Sequence, residues 1–393
     1  MMTKRIGMII ERALLRFRFL IALGLILTLG NGIAFAGNVA IPKIMTWTSY
    51  DVGSSGYMLV GHVSTTMYEK YGVKIRQIPA GTDIPRVYPV RLKGADVAFH
   101  GYGSWLMQEG LGDYASSEWG PQPVRALYFA QHPGLALGLR GDSSIKTWKD
   151  LRGKKICTFP GSGALTLISE IHLVFAGLTW DDVNAVKCAG YGAAIKMVMA
   201  GQVDGTHINP TASLAYQMEA KPHGVKFVEL PHNLAENWAR VKKRAPAYGK
   251  FVATIGASLS KDKPIQTTSY AYPIALAYDF LSDDRAYITT KLLVESYPDY
   301  ATKHKALKAY WSPEGSMALF DQYPLPMHKG AIRYYKEKGM WNAEREAKNQ
   351  TRLAYQAKLK KLWDVAFNES LEKKMKMRKF ADFWKKKRAE AGL

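Results

Sequence analysis

Residues 154–177, KKICTFPGSGALTLISEIHLVFAG, form the stretch that decides the fold. The apolar run at 156–159 has the length and composition of a buried strand. The cluster Pro-Gly-Ser-Gly at 160–163 interrupts it, and residues 164–176 then carry apolar side chains near helical spacing. This order predicts a strand, a glycine-rich turn and a helix. The first backbone N–H groups of such a helix favour an anion such as a carboxylate or phosphate.

The same order recurs near the start of the chain. A strand predicted at 41–47 leads into a turn at Gly53, and a helix follows to about Tyr71. Ser54 and Ser55 are candidates for capping this helix or for contacting a ligand, and capping alone explains only one of them. We therefore expect the glycine turns to face one another across a ligand cleft, as loops do at the carboxyl ends of strands in open α/β sheets.

A third unit carries a candidate ligand-binding arginine. A strand predicted at 73–78 leads into a Gly-Thr turn at 81–82, a helix for which Asp83 is a candidate cap, and Arg86 one turn further on. A guanidinium suits a bidentate contact with a carboxylate. The alternative is an internal ion pair of Arg86 with Asp83 or Asp96.

The rest of the chain continues this alternation and then becomes helical. Successive strand–helix units predict right-handed crossovers and parallel sheets. Residues 238–249 are predicted to be a return linker, and 353–393 carry an amphipathic helical seam. Further strands or apolar runs are predicted at 95–99, 124–129, 135–139, 185–188, 205–208, 225–230, 251–259 and 273–280.

The N-terminus has the pattern of a targeting segment. Basic residues precede an uncharged apolar run at 19–29, and Ala34-Phe35-Ala36 provides the small residues that a signal peptidase needs. The run is short for a bilayer span, which takes about 20 residues. We expect residues 1–36 to be a signal peptide cleaved after Ala36, with an uncleaved anchor as the alternative. The mature protein is then exported and periplasmic.

The charge is strongly basic. Removing residues 1–36 takes away five basic residues and Glu11, which lowers the net charge from +21 to about +17. The basic residues concentrate near the C-terminus, and no nucleic-acid-binding motif accompanies them. A solvated charged tail is therefore favoured over a nucleic-acid partner.

The two cysteines, Cys157 and Cys188, each lie in an apolar run that is predicted to be a strand, separated by one helix. They could lie on neighbouring parallel strands. A disulfide is open in an oxidising compartment, but burial in apolar runs favours two free thiols. Two cysteines alone make no metal site.

Seven stretches, spread over nearly all of the mature chain, together resemble the TAXI-type solute receptors of tripartite ATP-independent periplasmic (TRAP) transporters. The stretches are DVGSSGY (51–57), AGTDIPRVYPVRLKGADVAF (80–99), EWGPQPVRALY (118–128), LRGKKI (151–156), GSGALT (161–166), GYGAAIKMVMAGQVDG (190–205) and PLPMHKGAIRYYKEKGMW (324–341).

The resemblance implies an α/β fold of the class II periplasmic binding protein type, with two lobes, a hinge and a ligand cleft. It implies lobe I at 37–141 and 245–340, lobe II at 142–244, and a basic helical extension at 341–393 that packs on lobe I. It implies no cofactor, metal or catalytic residue. The ligand contacts it implies are Ser54, Ser55, Tyr57, Gly81, Thr82, Asp83, Arg86, Tyr102, Gly103, Ser104, Tyr128, Ser162, Gly163 and Asn209.

The implied function is capture of a small organic acid or amino acid and its delivery to TRAP permease subunits in the membrane. Lys329 replaces the proline that is usual in the family, and Tyr102 and Trp105 make the cleft more aromatic, so a more apolar carboxylate stays open. The alternatives are an exported transferase or decarboxylase on the same fold, and a ligand-sensing partner of a membrane receptor. No Gly-x-Ser-x-Gly elbow supports the enzyme.

Overall fold

A computed structural model describes residues 39–393. The predicted signal peptide and its cleavage after Ala36 lie outside the described residues. Residues Ile41–Leu393 form one compact unit. This unit contains two five-stranded sheets and a separate two-stranded one.

The first sheet has the strand order β2-β1-β3-β12-β4. Its strands β1 and β2, and β1 and β3, are parallel, whereas β12 runs antiparallel to both β3 and β4. The sheet and the helices packed on it are called the first lobe. Its strands are β1 (Ile44–Ser49), β2 (Lys74–Pro79), β3 (Val97–His100), β4 (Val124–Gln131) and β12 (Ala271–Tyr278).

The second sheet has the order β7-β6-β8-β5-β9, and with its helices it is called the second lobe. Its β5 pairs antiparallel with β8 and β9, so the expectation of purely parallel sheets is wrong. β5 enters this sheet directly from the first lobe rather than through a strand–helix unit of its own sheet, so no crossover fixes it parallel to its neighbours. The strands are β5 (Ala136–Arg140), β6 (Lys155–Thr158), β7 (Asn184–Lys187), β8 (Gly205–Ile208) and β9 (Val225–Val228).

Because β5 pairs in the second sheet, the chain leaves the first lobe before residue 136, earlier than the boundary expected at 141. It returns through the antiparallel pair β10 (Gly249–Ala253) and β11 (Ile265–Ser269). The two passages between the lobes lie side by side. The backbone N–H of Leu135 donates to Thr268 O at 2.8 Å, and that of His132 to Tyr270 O at 3.1 Å. Two adjacent crossings of this kind form a hinge.

Fourteen α-helices lie within the described residues. They are α1 (Ser55–Tyr71), α2 (Asp83–Arg91), α3 (Gly103–Glu109), α4 (Gly163–Ala176), α5 (Tyr191–Met199), α6 (Ser213–Glu219), α7 (Ala235–Arg244), α8 (Asp283–Glu295), α9 (Tyr297–Tyr300), α10 (Lys305–Tyr310), α11 (Pro313–Gln322), α12 (Lys329–Glu337), α13 (Ala343–Glu372) and α14 (Met377–Glu390).

The predicted linker at 238–249 is helical in its first half, where α7 ends at Arg244. Trp238 and Val241, three residues apart, are buried on one face of this helix. Glu236 lies in its first turn and basic residues lie in its last, which complements the helix dipole. The prediction of a linker is therefore wrong for 238–244, where the residue pattern supports a helix.

The preference for free thiols is wrong, because Cys157 and Cys188 form a disulfide. Cys157 lies in β6, and Cys188 directly follows β7, its parallel neighbour, as expected from the sequence. The two Cα atoms are 5.7 Å apart, within the reach of a disulfide. The bond is buried in the apolar core of the second lobe, between the sheet and α5.

The C-terminal helices α13 and α14 pack together through an aromatic cluster and against the first lobe near α3. Trp384 Nε1 donates to the backbone O of Glu109 at 3.1 Å, and Tyr355 Oη donates to Glu109 Oε2 at 2.8 Å. Arg388 forms a buried ion pair with the same carboxylate. Glu109 therefore anchors both helices of the extension.

Candidate ligand-binding site

A small cavity lies between the two lobes, at the ends of strands from both sheets and beside the hinge. Its volume is about 30 Å³, room for roughly two water molecules. The first lobe contributes chiefly Tyr50, Asp51, Asp83 and Arg86, and the second contributes Tyr191, His207 and Asn209. Tyr270 and Tyr272 line it from the hinge.

Six of the residues predicted from the sequence line this cavity. They belong to turns that follow β1, β2, β3 and β8, so the strand-end argument brings together positions far apart in the chain. The six are Ser54, Gly81, Asp83, Arg86, Tyr102 and Asn209.

Several other predicted residues surround the cavity without lining it. Ser55 Oγ accepts from Asn209 Nδ2 at 2.5 Å, and this hydrogen bond joins the two lobes. Ser162 donates to Asp83 Oδ2 at 2.9 Å. A Cβ atom at Gly103 would lie 2.3 Å from the His100 ring, so only glycine fits there.

The remaining predicted residues hold the turns or lie elsewhere. Tyr57 donates its backbone N–H to the capping hydroxyl of Ser54, and Thr82 occupies the N-cap position of α2. Ser104 Oγ donates to Gly101 O at 2.7 Å. Tyr128 is not brought to the cavity. It is buried within the first lobe, where its hydroxyl donates to Trp311 O.

Arg86 is held by its own lobe. Its Nη1 is 3.1 Å from Asp83 Oδ1, and both side chains are buried. Its Nη2 donates to Ala80 O at 3.0 Å, and its guanidinium carbon lies 4.1 Å from the centre of the Tyr50 ring. The internal ion pair with Asp83 is therefore present. Asp96, the other partner considered, pairs instead with Arg285.

The N-terminus of α4 does bind anions, and they are carboxylates of the first lobe. Asp83 Oδ2 accepts from Ser162 Oγ at 2.9 Å and from the backbone N–H of Ala164 at 3.3 Å. Asp113 Oδ2 accepts from the N–H of Gly163 at 3.0 Å. The sequence predicts a ligand anion at this helix end, whereas the anionic groups that contact it in this structure are side chains of the protein itself.

The N-terminus of α5 is used in the same way. Asp51 Oδ2 accepts from the backbone N–H of Gly192 at 3.1 Å. We call the contacts of Asp51, Asp83 and Asp113 with the first turns of α4 and α5 the interlobe latch. The latch joins the lobes on one side of the cavity, and the hinge joins them on the other.

Two groups of the cavity retain hydrogen-bonding capacity. The Tyr50 hydroxyl is buried and has no hydrogen-bond partner among the described residues, and burial raises the pKa of this phenol. His207 donates from Nδ1 to Ala136 O, which leaves Nε2 as an acceptor. Burial lowers the pKa of His207 to about 3, so the ring is neutral.

His100 lines the cavity as a second neutral ring. It accepts from the N–H of Gly101 at Nδ1, at 3.0 Å. Its pKa lies well below the usual range because of burial and, secondarily, because of the nearby Arg86.

Sequence reasoning missed the aromatic half of the site. Tyr50 and Asp51 directly follow β1, so the strand-end rule that found Ser54 could also have found them. His207 lies within β8 itself, where the alternation of side chains decides which residue faces the cleft. Tyr270 connects β11 to β12, and Tyr272 is the second residue of β12, so no turn motif gives a signal for either residue.

Comparison with known proteins gives the family. The sequence model of the NMT1-like family matches residues 55–339, so the chain belongs to that family. No helix in residues 39–393 has the length and apolar character needed to cross a membrane. The same residues hold no group of three or more His, Cys, Asp or Glu placed to bind a metal.

Two of the solved structures that are similar to this chain are as follows. The aliphatic sulphonate binding protein SsuA of Escherichia coli is 16% identical, with a TM-score of 0.43, over 81% of this chain and 94% of that one. An ancestral arginine-binding protein bound to arginine is 15% identical, with a TM-score of 0.39, over 67% and 99%. The expected α/β architecture with two lobes is present, since each of the two five-stranded sheets is packed with helices.

Proposed function

We propose that this protein is a periplasmic solute receptor that captures a small organic acid or amino acid by hinge closure. In this proposal the solute enters between the lobes when the latch is open and is enclosed when the latch forms. The bound solute selects the closed form, because only that form contacts it from both sides. The receptor then delivers the solute to the permease subunits of a TRAP transporter.

The observation that carries the proposal is a cavity lined by polar and aromatic side chains from both lobes and from the hinge. A guest in this cavity contacts Tyr50 and Arg86 from one lobe and His207 and Asn209 from the other. Such bridging gives the guest different affinities for the open and the closed form, as hinge closure requires.

Delivery to a TRAP permease of the TAXI type rests on the seven motif stretches rather than on the cavity. Their order and their spread from 51 to 341 support it. The family match over 55–339 is to the NMT1-like family and names no TRAP component. Export to the periplasm rests on the pattern of residues 1–36.

The contacts of the serine hydroxyls beside the cavity favour a binding role over catalysis. Ser54, Ser104 and Ser162 donate to Asp51 O, to Gly101 O and to the Asp83 carboxylate. None of these hydroxyls is paired with a histidine within residues 39–393, and nucleophilic catalysis by serine needs an adjacent base.

The charges in the cavity favour an amino acid over a simple carboxylate. Asp51 and Asp83 line the cavity with Arg86, and Arg86 is already paired with Asp83. A guest that carries an ammonium group as well as a carboxylate compensates Asp51. The aromatic rings around the cavity also favour a cationic group. The small volume limits the guest to a few heavy atoms unless the lobes close less tightly around it.

A thermal-shift screen tests the proposal. Each amino acid is compared with the oxoacid and hydroxyacid of the same carbon skeleton, so that only the ammonium group differs. Since a ligand that binds only the folded protein stabilises it by mass action, a true solute raises the melting temperature, by an amount that grows with its concentration. Asn209→Ala should reduce the shift. If no acid in either set raises the melting temperature, the proposal fails.

A further inference from the structure

The C-terminal helices α13 and α14 form an antiparallel hairpin that lies outside the family match at 55–339. Its base is anchored to the first lobe through Glu109, which contacts Tyr355, Trp384 and Arg388. The opposite end, residues 365–379, is called the hairpin tip. The family's shared architecture does not account for this tip.

The polar contacts of the hairpin tip are confined to the hairpin, while its apolar side chains Ala366, Phe367 and Met375 belong to the cluster that also includes Leu111 and Ala115 of the first lobe. Among the described residues, its side-chain hydrogen bonds and ion pairs stay within α13 and α14. Ser370 Oγ donates to Phe367 O, and Lys373 pairs with Glu369. The tip therefore presents its outer surface to other molecules without loss of contacts to the first lobe.

The surface of the tip is basic. Five cationic side chains in the tip are exposed, and Glu372 is the one exposed carboxylate among residues 371–379. Of the five, Lys373 is in an ion pair. The five are Lys373, Lys374, Lys376, Arg378 and Lys379.

Apolar side chains lie among these charges. Val365, Leu371 and Met377 are 62%, 57% and 40% exposed, and all three lie in the tip. Leu371 and Met377 flank the basic turn on either side. Exposed apolar side chains next to lysines are typical of segments that lie in the interface of an anionic bilayer.

We propose that the hairpin tip docks on the surface of an anionic phospholipid bilayer. The lysines contact lipid phosphates, and Leu371 and Met377 enter the boundary between headgroups and acyl chains. A narrow convex tip with dispersed charges fits a planar lipid surface better than a shaped protein pocket. The inference is independent of what the cavity binds.

Docking through the tip holds the first lobe at the membrane. The anchor Glu109 is the last residue of α3, and that helix begins at Gly103, next to Tyr102 of the cavity. A receptor attached in this way stays near any membrane partner while the second lobe remains free to move about the hinge.

Vesicle sedimentation tests the proposal. The protein is used from residue 37, which keeps the whole compact unit Ile41–Leu393 and removes the apolar run at 19–29. Vesicles of phosphatidylcholine alone are compared with vesicles that contain phosphatidylglycerol. We expect binding only to the second kind, and weaker binding at high salt because the attraction is screened.

The tip variant replaces Lys373, Lys374, Lys376 and Lys379 with glutamine. Partitioning should fall several hundredfold, since each of the four lysines contributes about a fivefold preference for an anionic surface. The matched control replaces four exposed lysines of the other parts of the protein, Lys221, Lys242, Lys243 and Lys261, and should change partitioning by less than about threefold.

A second variant, Leu371→Ser with Met377→Ser, tests the apolar contribution and should remove the binding that persists at high salt. The melting temperatures of all variants should match that of the wild type, because the replaced side chains are exposed. Equal losses in the tip variant and the matched control would overturn the proposal. Binding of the tip to an acidic protein, without binding to anionic vesicles, would also overturn the proposal.

Discussion

The two lobes contribute different chemistry to the cleft. The first lobe brings the charged side chains, namely the latch carboxylates and Arg86. The second lobe meets them with uncharged donors, the backbone N–H groups that begin α4 and α5 and the hydroxyl of Ser162. A helix N-terminus that looks like a ligand site in the sequence can therefore serve as a contact between lobes. Recognition of the solute then falls on the remaining side chains of the cavity.

The largest effect should come from replacing Asp83, whose carboxylate pairs with Arg86 in the first lobe and accepts a hydrogen bond from Ser162 in the second. Asp83→Ala leaves Arg86 buried without its partner and removes an acceptor from α4, so we expect a loss of about 3–5 kcal/mol in the free energy of unfolding. The matched control, Ser162→Ala, removes one hydrogen bond at the same place and should cost about 1 kcal/mol. Urea unfolding measures both. Similar losses would contradict the assignment of the charged role to the first lobe.

A second difference is that only the second lobe holds the disulfide. Replacing Cys157 and Cys188 together with serine releases a loop with a sequence separation of 31 residues. The expected loss is about 3–4 kcal/mol in the free energy of unfolding, from the greater freedom of the unfolded chain. Hydrogen exchange should show the loss of protection in β6 and β7 and not in β1 to β3. Uniform loss in both sheets would mean that the lobes do not unfold separately.

His172, in the core of the second lobe, should make stability depend on pH. Leu137 N–H donates to its Nε2 at 3.0 Å, so protonation breaks a buried hydrogen bond. Burial lowers the pKa of His172 to about 4, from the ordinary 6.5. The unfolded chain therefore binds the proton first, and about 2–3 kcal/mol of stability is lost as the pH falls from 6.5 to 4. His172→Gln, which keeps an acceptor, should flatten this part of the profile. If the free energy of unfolding of this variant depends on pH as steeply as that of the wild type, groups other than His172 cause the dependence.

The smallest effect should come from Asp113 of the latch. Burial raises the pKa of this carboxyl above its usual range, despite the N–H of Gly163 that it accepts. The Asp113 carboxyl therefore binds its proton more tightly in the folded protein than in the unfolded chain. The free energy of unfolding falls as the pH rises from the pKa of Asp113 in the unfolded chain to its higher pKa in the folded protein. Asp113→Asn removes this decline and still accepts from Gly163. At neutral pH the variant should match the wild type within about 1 kcal/mol by thermal unfolding. A much larger loss would show that the negative charge itself holds the latch.

Much of the fold follows from local sequence signals. Ser54, a predicted cap, begins α1, and the turn predicted at 160–163 supplies Ser162 as the N-cap of α4. The strand–turn–helix units lie near the positions that the pattern of apolar residues indicated. What local signals could not give is the direction of β5 and β12. Both strands enter their sheets directly from the hinge passages, and their pairing depends on the other lobe.

The site was predictable only in part, because several of its contacts join residues that are far apart in the sequence. The turn residues follow from the strand-end rule, but the partners of Asp51 and Asp113 lie 141 and 50 residues away. Nothing near Asp113 in the sequence indicates a contact with Gly163. Tyr128 was assigned to the cleft by resemblance alone, and its place in β4 turns its hydroxyl to Trp311 within the first lobe.

The central claim is that the solute reaches the cavity only when the lobes separate. The backbones of Gly81 and Gly190 lie close together across the cleft. A Cβ atom at Gly190 would lie 3.8 Å from the Cα atom of Gly81, and a Cβ at either position is free of tight contacts. The double variant Gly81→Cys with Gly190→Cys can therefore be crosslinked in the closed form, and the two single variants are controls that cannot.

The decisive measurement is the rate at which the oxidised double variant takes up the solute found in the thermal-shift screen. Uptake more than about a hundredfold slower than in the oxidised single variants is the result that hinge closure predicts. Equal rates in all three would contradict the claim, because a cavity that fills with the lobes locked together needs no hinge.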